Sequence, residues 1–219
     1  MAERLDLARL RPLLRSVGVS DAMDALGLRV HCLPAAINPI GPLAAPMVGY
    51  AFPVTTMLVD AVPEESYVGV LAALAAVQAD DVFIVSALGE PEVAIWGELL
   101  STSCSERGVA GAICDGSIRD TAQIRALGFP CFARGSVPYD VNGRLEFTAH
   151  DAPIEIGGVT ITPGDLVVGD EDGIVIVPHA QLSEILTAAV TKADVETEFL
   201  AALASGMSIA EAYEKFGVL

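Results

Sequence analysis

Apolar and polar residues alternate along this chain in two rhythms, and each change of rhythm marks an element. Residues 4–16 set Leu between Arg and Asp at helical spacing. Ser20 stands where an N-cap would open a second helix over DAMDAL, with Gly27 as its stop. MVGYAFPVTT (47–56) reads as a strand with a proline interruption, SYVGVLAALAAVQ (66–78) as a helix, and DDVFIVSAL (80–88) as a buried strand. GELLSTSCSERG then reads as a helix from Gly97 to a stop near Gly108. VAGAICDG follows as a short strand, RDTAQIRALG as a helix ending at Gly128, and FPCFARGS as another strand. This βαβα order predicts α/β layering.

After Val137 the rhythm turns strand-like, broken by turn signals at Gly157-Gly158, Pro163-Gly164-Asp165 and Asp172-Gly173. A helix from about His179 to Ala204 comes next, then a short one opened by a capping box of Ser208 and Glu211. There is no repeat, no low-complexity segment and no long linker, so residues 1–219 read as a single domain.

Composition narrows the function classes. Hydrophobic residues make up 53% of the chain, and the ten-residue run VGVLAALAAV (68–77) contributes to that richness. That run is too short to span a bilayer; it reads as a buried helix or as an apolar oligomer face. The formal charge of −17, from 29 acidic and 12 basic residues, repels phosphate backbones, which argues against direct nucleic-acid binding. MAERLDLARLRPLL has early acids and no cleavage signature, so no export signal is expected. Cys32, Cys104, Cys114 and Cys131 lack CxxC spacing and lie among apolar residues, which predicts reduced core thiols in a cytoplasmic protein. His31, His150 and His179 are too scattered for a zinc site. The first two are expected on the surface or in loops, and His179 at a helix start.

The chemistry concentrates in WGELLSTSCSERGVAGAICDGSIRD (96–120). Two acid-bearing turns, Gly97-Glu98 and Arg119-Asp120, each lead into a helix, and a helix start offers unpaired N–H groups and partial positive charge to an anion. Brought together, they would place an arginine, two carboxylates and free amides in one pocket, a set suited to a small oxo-acid and a divalent metal. The plainer alternative is that Glu98 and Asp120 only complement helix dipoles. Asp115 reads as a turn residue able to orient Arg119. Arg134 stands near the expected mouth, either in a surface pair or facing a second substrate carboxylate. Asp170 and Asp172 read as hairpin residues.

Taken in order, Val48-Gly49-Tyr50-Ala51, GELLST, RGVAGAICDGSIRD, FPCFARGSVPYD and GGVTITPGDLVVGDEDGIVIVP resemble the 4-hydroxy-4-methyl-2-oxoglutarate/4-carboxy-4-hydroxy-2-oxoadipate aldolases. That family also holds the regulator of ribonuclease activity A. The resemblance runs from about residue 17 to the C-terminus. It implies a β/β/α swivelling-type fold with C-terminal helices, assembled as a homotrimer or homohexamer with sites between subunits. By the same resemblance, Asp120 binds Mg²⁺ or Mn²⁺ largely through water and Arg119 contacts the keto-acid. The segment Gly97, Leu99 and Leu100 binds the substrate carboxylate, through the amides of the two leucines. Glu98 takes the place of an acid, usually aspartate, that holds a water for proton transfer. A glutamate from the neighbouring subunit's C-terminal helix approaches the metal; Glu196 is the match, with Glu198 beside it.

These residue types fit cleavage of a 4-hydroxy-2-oxo acid to a pyruvate enolate, stabilised by a Lewis acid and an arginine. The base that takes the 4-hydroxyl proton stays open between hydroxide on the cation and a water held by Glu98. The chain's two lysines, Lys192 and Lys215, fall on C-terminal helices, which argues against a Schiff-base route. Loss of CO₂ from oxaloacetate passes through the same enolate, so decarboxylation is expected beside aldol cleavage. The alternatives are a non-catalytic ribonuclease-binding regulator, and a lyase for another 2-oxo acid such as a 2-oxo-3-deoxy sugar acid or oxaloacetate alone.

Overall fold

The apolar runs within DDVFIVSAL and VAGAICDG become strands covered on both faces, whereas VGVLAALAAV becomes a helix. The computed structural model describes residues 5–88 and 92–217. Its first half comprises α1 (Leu7–Leu10), α2 (Ser16–Ala25), β1 (Asn38–Pro39), β2 (Met47–Leu58), α3 (Val68–Ala76), β3 (Asp81–Ser86), α4 (Glu98–Glu106), β4 (Gly111–Ile118), α5 (Thr121–Leu127) and β5 (Cys131–Ser136). Then follow β6 (Leu145–His150), β7 (Ile154–Ile156), β8 (Val159–Ile161), β9 (Leu166–Asp170), β10 (Gly173–Val177), a 3₁₀ turn His179–Gln181, α6 (Leu182–Ala204) and α7 (Ile209–Phe216).

One sheet runs in the order β1-β5-β4-β3-β2-β9-β10, with β6 beside the far half of β2. Strands β2 to β5 are parallel to one another, while β1, β6, β9 and β10 pair antiparallel. Residues 31–40 join the sheet's two ends. Leu33 N donates to Ile174 O and Ile176 N to His31 O on the β10 side, each at 2.9 Å, and Ile40 N donates to Cys131 O at 2.9 Å on the β5 side. The result is a mixed α/β fold around a nearly closed, barrel-like sheet with helices at its C-terminal end.

Strand alternation sorts the core. Val82, Ile84, Ile113 and Phe132 point inward and meet Ile154, Ile156, Val159 and Ile161 of the β7–β8 hairpin. Phe83, Val85, Cys114 and Cys131 point outward into the layer with Val70, Leu74 and Ile124. Val48, Tyr50, Val168 and Val175 pack beside Met23, Ile185 and Leu186. The predicted interruption at Pro53 does not break β2. Tyr50 N points toward β3 and Ala51 N toward the β9 side, so residue 53 faces the gap where β9 has ended and β6 begins. No ladder bond is lost there.

Several expectations are corrected. The first helix is only Leu7–Leu10, because Pro12 cannot donate into a continued helix; Arg4, where it was to begin, lies outside the described residues. Ser20 is no N-cap: α2 starts four residues earlier, and Ser20 lies inside it with Oγ 2.9 Å from His31 Nε2. The α2 start is capped from afar by Asp170, whose carboxylate accepts the Ser16 N–H at 2.8 Å and hydroxyl at 2.5 Å. Asp170 also accepts Asp172 N–H at 3.1 Å in its hairpin, as expected. His31 lies in a loop, as one of its two alternatives had it, but is buried; His150 ends β6 and is half-buried, so it is neither a loop nor a surface residue. Gly27, Gly128 and the Ser208/Glu211 box terminate or open helices where predicted.

Cys32 is exposed and is not a core thiol; Cys104, Cys114 and Cys131 are buried and free. Burial pushes the Cys104 thiol up to about 12, and burial beside Cys131 raises Cys114 as well. A native sample near roughly pH 8 is therefore expected to show one fast-reacting thiol, Cys32, against all four after denaturation. Two or more fast thiols in the native protein would contradict this packing.

Candidate active site

Helices α4 and α5 follow the neighbouring parallel strands β3 and β4, so both begin at the carboxyl edge of the sheet, where ligands gather in α/β folds. Asp120 precedes α5 in the left-handed region, at φ 58° and ψ 35°, and does not cap its own helix. Its carboxylate turns across to α4, where Oδ2 accepts the Glu98 N–H at 3.1 Å. Arg119 N donates to Trp96 O at 2.9 Å. The two helix starts are thus stitched together. Gly97 makes the approach possible: a Cβ there would lie 2.7 Å from Asp120 Oδ2 and 3.3 Å from Arg119 Cγ.

Arg119 lies between two carboxylates, with Nε 3.9 Å from Asp120 Oδ2 and Nη1 3.5 Å from Asp140 Oδ1. Asp140 is itself held by the Val141 N–H at 2.8 Å and the Tyr67 hydroxyl at 2.8 Å. Hydrogen bonding to Asp140 raises the Tyr67 phenol above its ordinary value, with some burial adding to the shift. Asp140 and Tyr67 are site residues that the sequence reading missed. Asp140 ends the quoted FPCFARGSVPYD block, but its partner Tyr67 is 73 positions away, and no local spacing signals such a contact.

The N–H groups of Leu99 and Leu100, in the first turn of α4, have no acceptor among the described residues. Glu98 beside them is exposed, and its carboxylate has no hydrogen bond or ion pair among the described residues. Trp96 serves both the core and the site. It is buried against Phe83, with ring centroids 5.0 Å apart, and it floors a cleft of about 570 Å³ between α3 and α4. Arg119, Asp120 and Asp140 form the polar corner of that cleft. A shallower depression beside Ser136 and Pro138 opens on the other side of Arg119 and Asp120.

Two neighbouring residues are placed differently from expectation. Asp115 does not touch Arg119; it is buried and binds Arg134, whose Nε and Nη2 lie 2.6 Å and 2.5 Å from Oδ1. Arg134 is thereby withdrawn from the mouth, since a desolvated carboxylate on the adjacent strand is the stronger partner. Glu196 lies on α6, 3.6 Å from Lys192 Nζ, and does not line the cleft of its own chain; Glu198 is exposed on the same helix.

Among the described residues no group of three or more His, Cys, Asp or Glu forms a metal cage. Asp120 nevertheless suits a hard cation that keeps most of its waters. Its Oδ2 is oriented by Glu98 N–H, its Oδ1 has no partner among the described residues, and its side chain is 36% exposed.

A family model described as aldolase/RraA matches residues 16–176, and the chain belongs to that family. Protein DlpA of Legionella pneumophila is 27% identical over 212 residues, covering 92% of this chain and 32% of that protein. A Halalkalibacterium halodurans protein with the provisional name 4-hydroxy-4-methyl-2-oxoglutarate aldolase is 37% identical over 123 residues, 56% of this chain and 58% of that one. The chain thus spans from a third to three fifths of the length of these two relatives. Among solved structures, a Pseudomonas syringae pv. tomato protein superposes with a TM-score of 0.84 at 27% identity, covering 96% of this chain and 99% of that one. Streptomyces coelicolor RraAS2, described as an unusual member of the RNase ES inhibitor RraA family, gives 0.77 at 32% identity, covering 90% and 98%.

Two outcomes follow from this geometry. Gly97→Ala is expected to destabilise the fold by about 1–3 kcal/mol through overpacking against Asp120. A lower urea midpoint at constant m would record it, and an unchanged midpoint would show that Asp120 is not seated there. Because the folded Tyr67 phenol ionises above 10.0, its bond to Asp140 stabilises the fold below that pH, and the contribution fades as pH rises through the folded value. Ultraviolet titration, with Tyr67→Phe as the difference reference, should show this band returning to the ordinary range in Asp140→Asn. No change in that variant would refute the pairing.

Proposed function

We propose that the chain is a divalent-metal-dependent lyase that cleaves a 4-hydroxy-2-oxo acid, such as 4-hydroxy-4-methyl-2-oxoglutarate, between C3 and C4 to release pyruvate. Oxaloacetate decarboxylation accompanies it in the same site. The observation that carries this reading is the convergence of two helix starts, with Glu98 N–H on Asp120 and Arg119 between Asp120 and Asp140. Names borne by relatives, including the Halalkalibacterium protein, point the same way.

The Leu99 and Leu100 amides hold the substrate carboxylate. The Arg119 guanidinium faces the 2-oxo oxygen, where negative charge develops. Glu98 positions a water that accepts the 4-hydroxyl proton, and a proton is returned at C3. Mg²⁺ or Mn²⁺, held by Asp120 largely through water, would supply Lewis acidity at the 2-oxo group when bound. A Schiff base is disfavoured: Lys192 is ion-paired with Asp21 and Glu196, and its pKa is raised by the Asp21 hydrogen bond, whereas a nucleophilic amine needs it lowered. The functional unit is a homotrimer or homohexamer, in which Glu196 of a neighbouring copy approaches the metal.

A second reading, binding of a ribonuclease, draws on the similarity to RraAS2 and on the acidic charge of −17, which suits a basic partner. Retention of Glu98 weighs against it, because the regulator branch resembles this chain in its Arg-Asp pair but not in that acid. Failure to form a complex with, or to inhibit, a purified ribonuclease of that type would remove it.

The lyase reading is tested by a coupled pyruvate assay with 4-hydroxy-4-methyl-2-oxoglutarate and with oxaloacetate, each with Mg²⁺ or with EDTA. Release should require the metal, and Arg119→Ala and Asp120→Ala should each lower kcat/KM by roughly 10²-fold or more while remaining folded by circular dichroism. Equal release by the variants, or none above the metal-only control from any hydroxy-oxo acid, would sink it.

A further inference from the structure

Resting on that reading, we infer that Asp140 is a positioning residue: seated by Tyr67 and Val141, it draws the Arg119 guanidinium away from Asp120 and so keeps the Asp120 carboxylate open for the divalent cation. Arg119 and Asp120 are neighbours in sequence, and a guanidinium paired with a carboxylate ordinarily closes to a charge-assisted hydrogen bond of about 2.8 Å. Here it does not. Arg119 Nε stops 3.9 Å from Asp120 Oδ2, and that oxygen accepts the Glu98 N–H at 3.1 Å instead. Arg119 Nη1 turns the other way, to 3.5 Å from Asp140 Oδ1. The root of the side chain is fixed: Arg119 N donates to Trp96 O at 2.9 Å, and a Cβ on Gly97 would lie 3.3 Å from Arg119 Cγ. Only the guanidinium end is left to divide itself between two anions.

Asp140 can compete for that end because of how it is held. Its carboxylate accepts the Val141 N–H and the Tyr67 hydroxyl, each at 2.8 Å. Both donors are uncharged, so they fix the carboxylate without supplying a counter-charge. The backbone is held as well, with Ala94 N on Tyr139 O at 3.0 Å and Arg144 Nη1 on Asp140 O at 2.9 Å. Arg144 thus bonds the main chain, and among the described residues Arg119 is the one cation in ion-pair reach of the Asp140 carboxylate. The division matters for Asp120. A hard cation binds a carboxylate through its charge and its open oxygen lone pairs, and a closed pair with Arg119 would offset the one and occupy the other. Without Asp140, Asp120 is the one carboxylate among the described residues left in ion-pair reach of Arg119. Tyr67, Arg119, Asp120 and Asp140 all belong to one chain, so the arrangement stands whatever a neighbouring copy adds to the site.

The test is a double-mutant cycle on metal binding, read from the electron paramagnetic resonance of free Mn²⁺ with the full chain and no substrate. The class of bound Mn²⁺ that is lost in Asp120→Ala defines the site and separates it from ions on the acidic surface. Asp140→Asn should weaken that class. Arg119→Met, which keeps the stem and removes the charge, should then strengthen binding roughly tenfold more in the Asp140→Asn chain than in the wild type, a coupling of the size found within one ion-pair network. Charge acting through space alone would make the two effects simply multiply, and that result would overturn the inference. Equal binding by Asp140→Asn and the wild type would overturn it too. Circular dichroism checks each fold, and Asp140→Ser repeats the cycle if Asp140→Asn does not fold. Multiplying effects together with metal-dependent pyruvate release would leave the lyase reading standing without the inference. A coupled cycle with no pyruvate from any hydroxy-oxo acid would do the reverse. Absence of any Mn²⁺ class sensitive to Asp120→Ala would overturn the inference, and the EDTA arm of the pyruvate assay would then decide the lyase reading by itself.

Discussion

Burial of the central strands on both faces is the constraint from which the rest of the molecule follows. Strands β3 and β4 are solvent-free from end to end or nearly so, so each face must be covered by a separate apolar layer. The inner face is covered by the β7–β8 hairpin and the outer one by α3, α4 and α5. Parallel neighbours require crossovers, and crossover helices begin where strands end. Two helix N-termini therefore arrive side by side at one edge, each with unpaired amides and partial positive charge.

What happens at that edge is an electrostatic arrangement built from few parts. Asp120 leaves its own helix uncapped and gives its carboxylate to the first amide of α4, which a left-handed backbone and a neighbouring glycine permit. That conformation costs on the order of 1 kcal/mol for a residue with a Cβ. Asp140, steadied by Tyr67 and Val141, draws Arg119 from the opposite side. The guanidinium thus lies between two anions.

Charge is otherwise used to join layers. Asp170 caps α2, Arg11 reaches Asp80, and Lys192 binds Asp21 across the α2–α6 contact. With cations scarce, each one tied into such a contact is withdrawn from binding. Arg134 shows the consequence. Its pairing with buried Asp115 holds it away from the cleft beside Arg119, whose described wall beyond the polar corner is largely apolar.

The α/β order, the helix after Gly97, the helix stop at Gly128 and the paired acid-bearing turns were all legible in the chain, because hydrophobic period, capping chemistry and glycine conformation act within a few residues. The family resemblance singled out Glu98, Arg119 and Asp120 from motifs of the same local kind. Other features were not legible. Ser20 looked like a cap, yet α2 is capped by a carboxylate 154 positions away. His31 is buried by the joining segment's seat against β10, and Tyr67, at the start of α3, meets Asp140 across 73 positions. Local energetics determined which segments became helices and strands. Only packing decided which side chains meet, since a hydrogen bond or ion pair between distant residues leaves no periodic trace in the sequence.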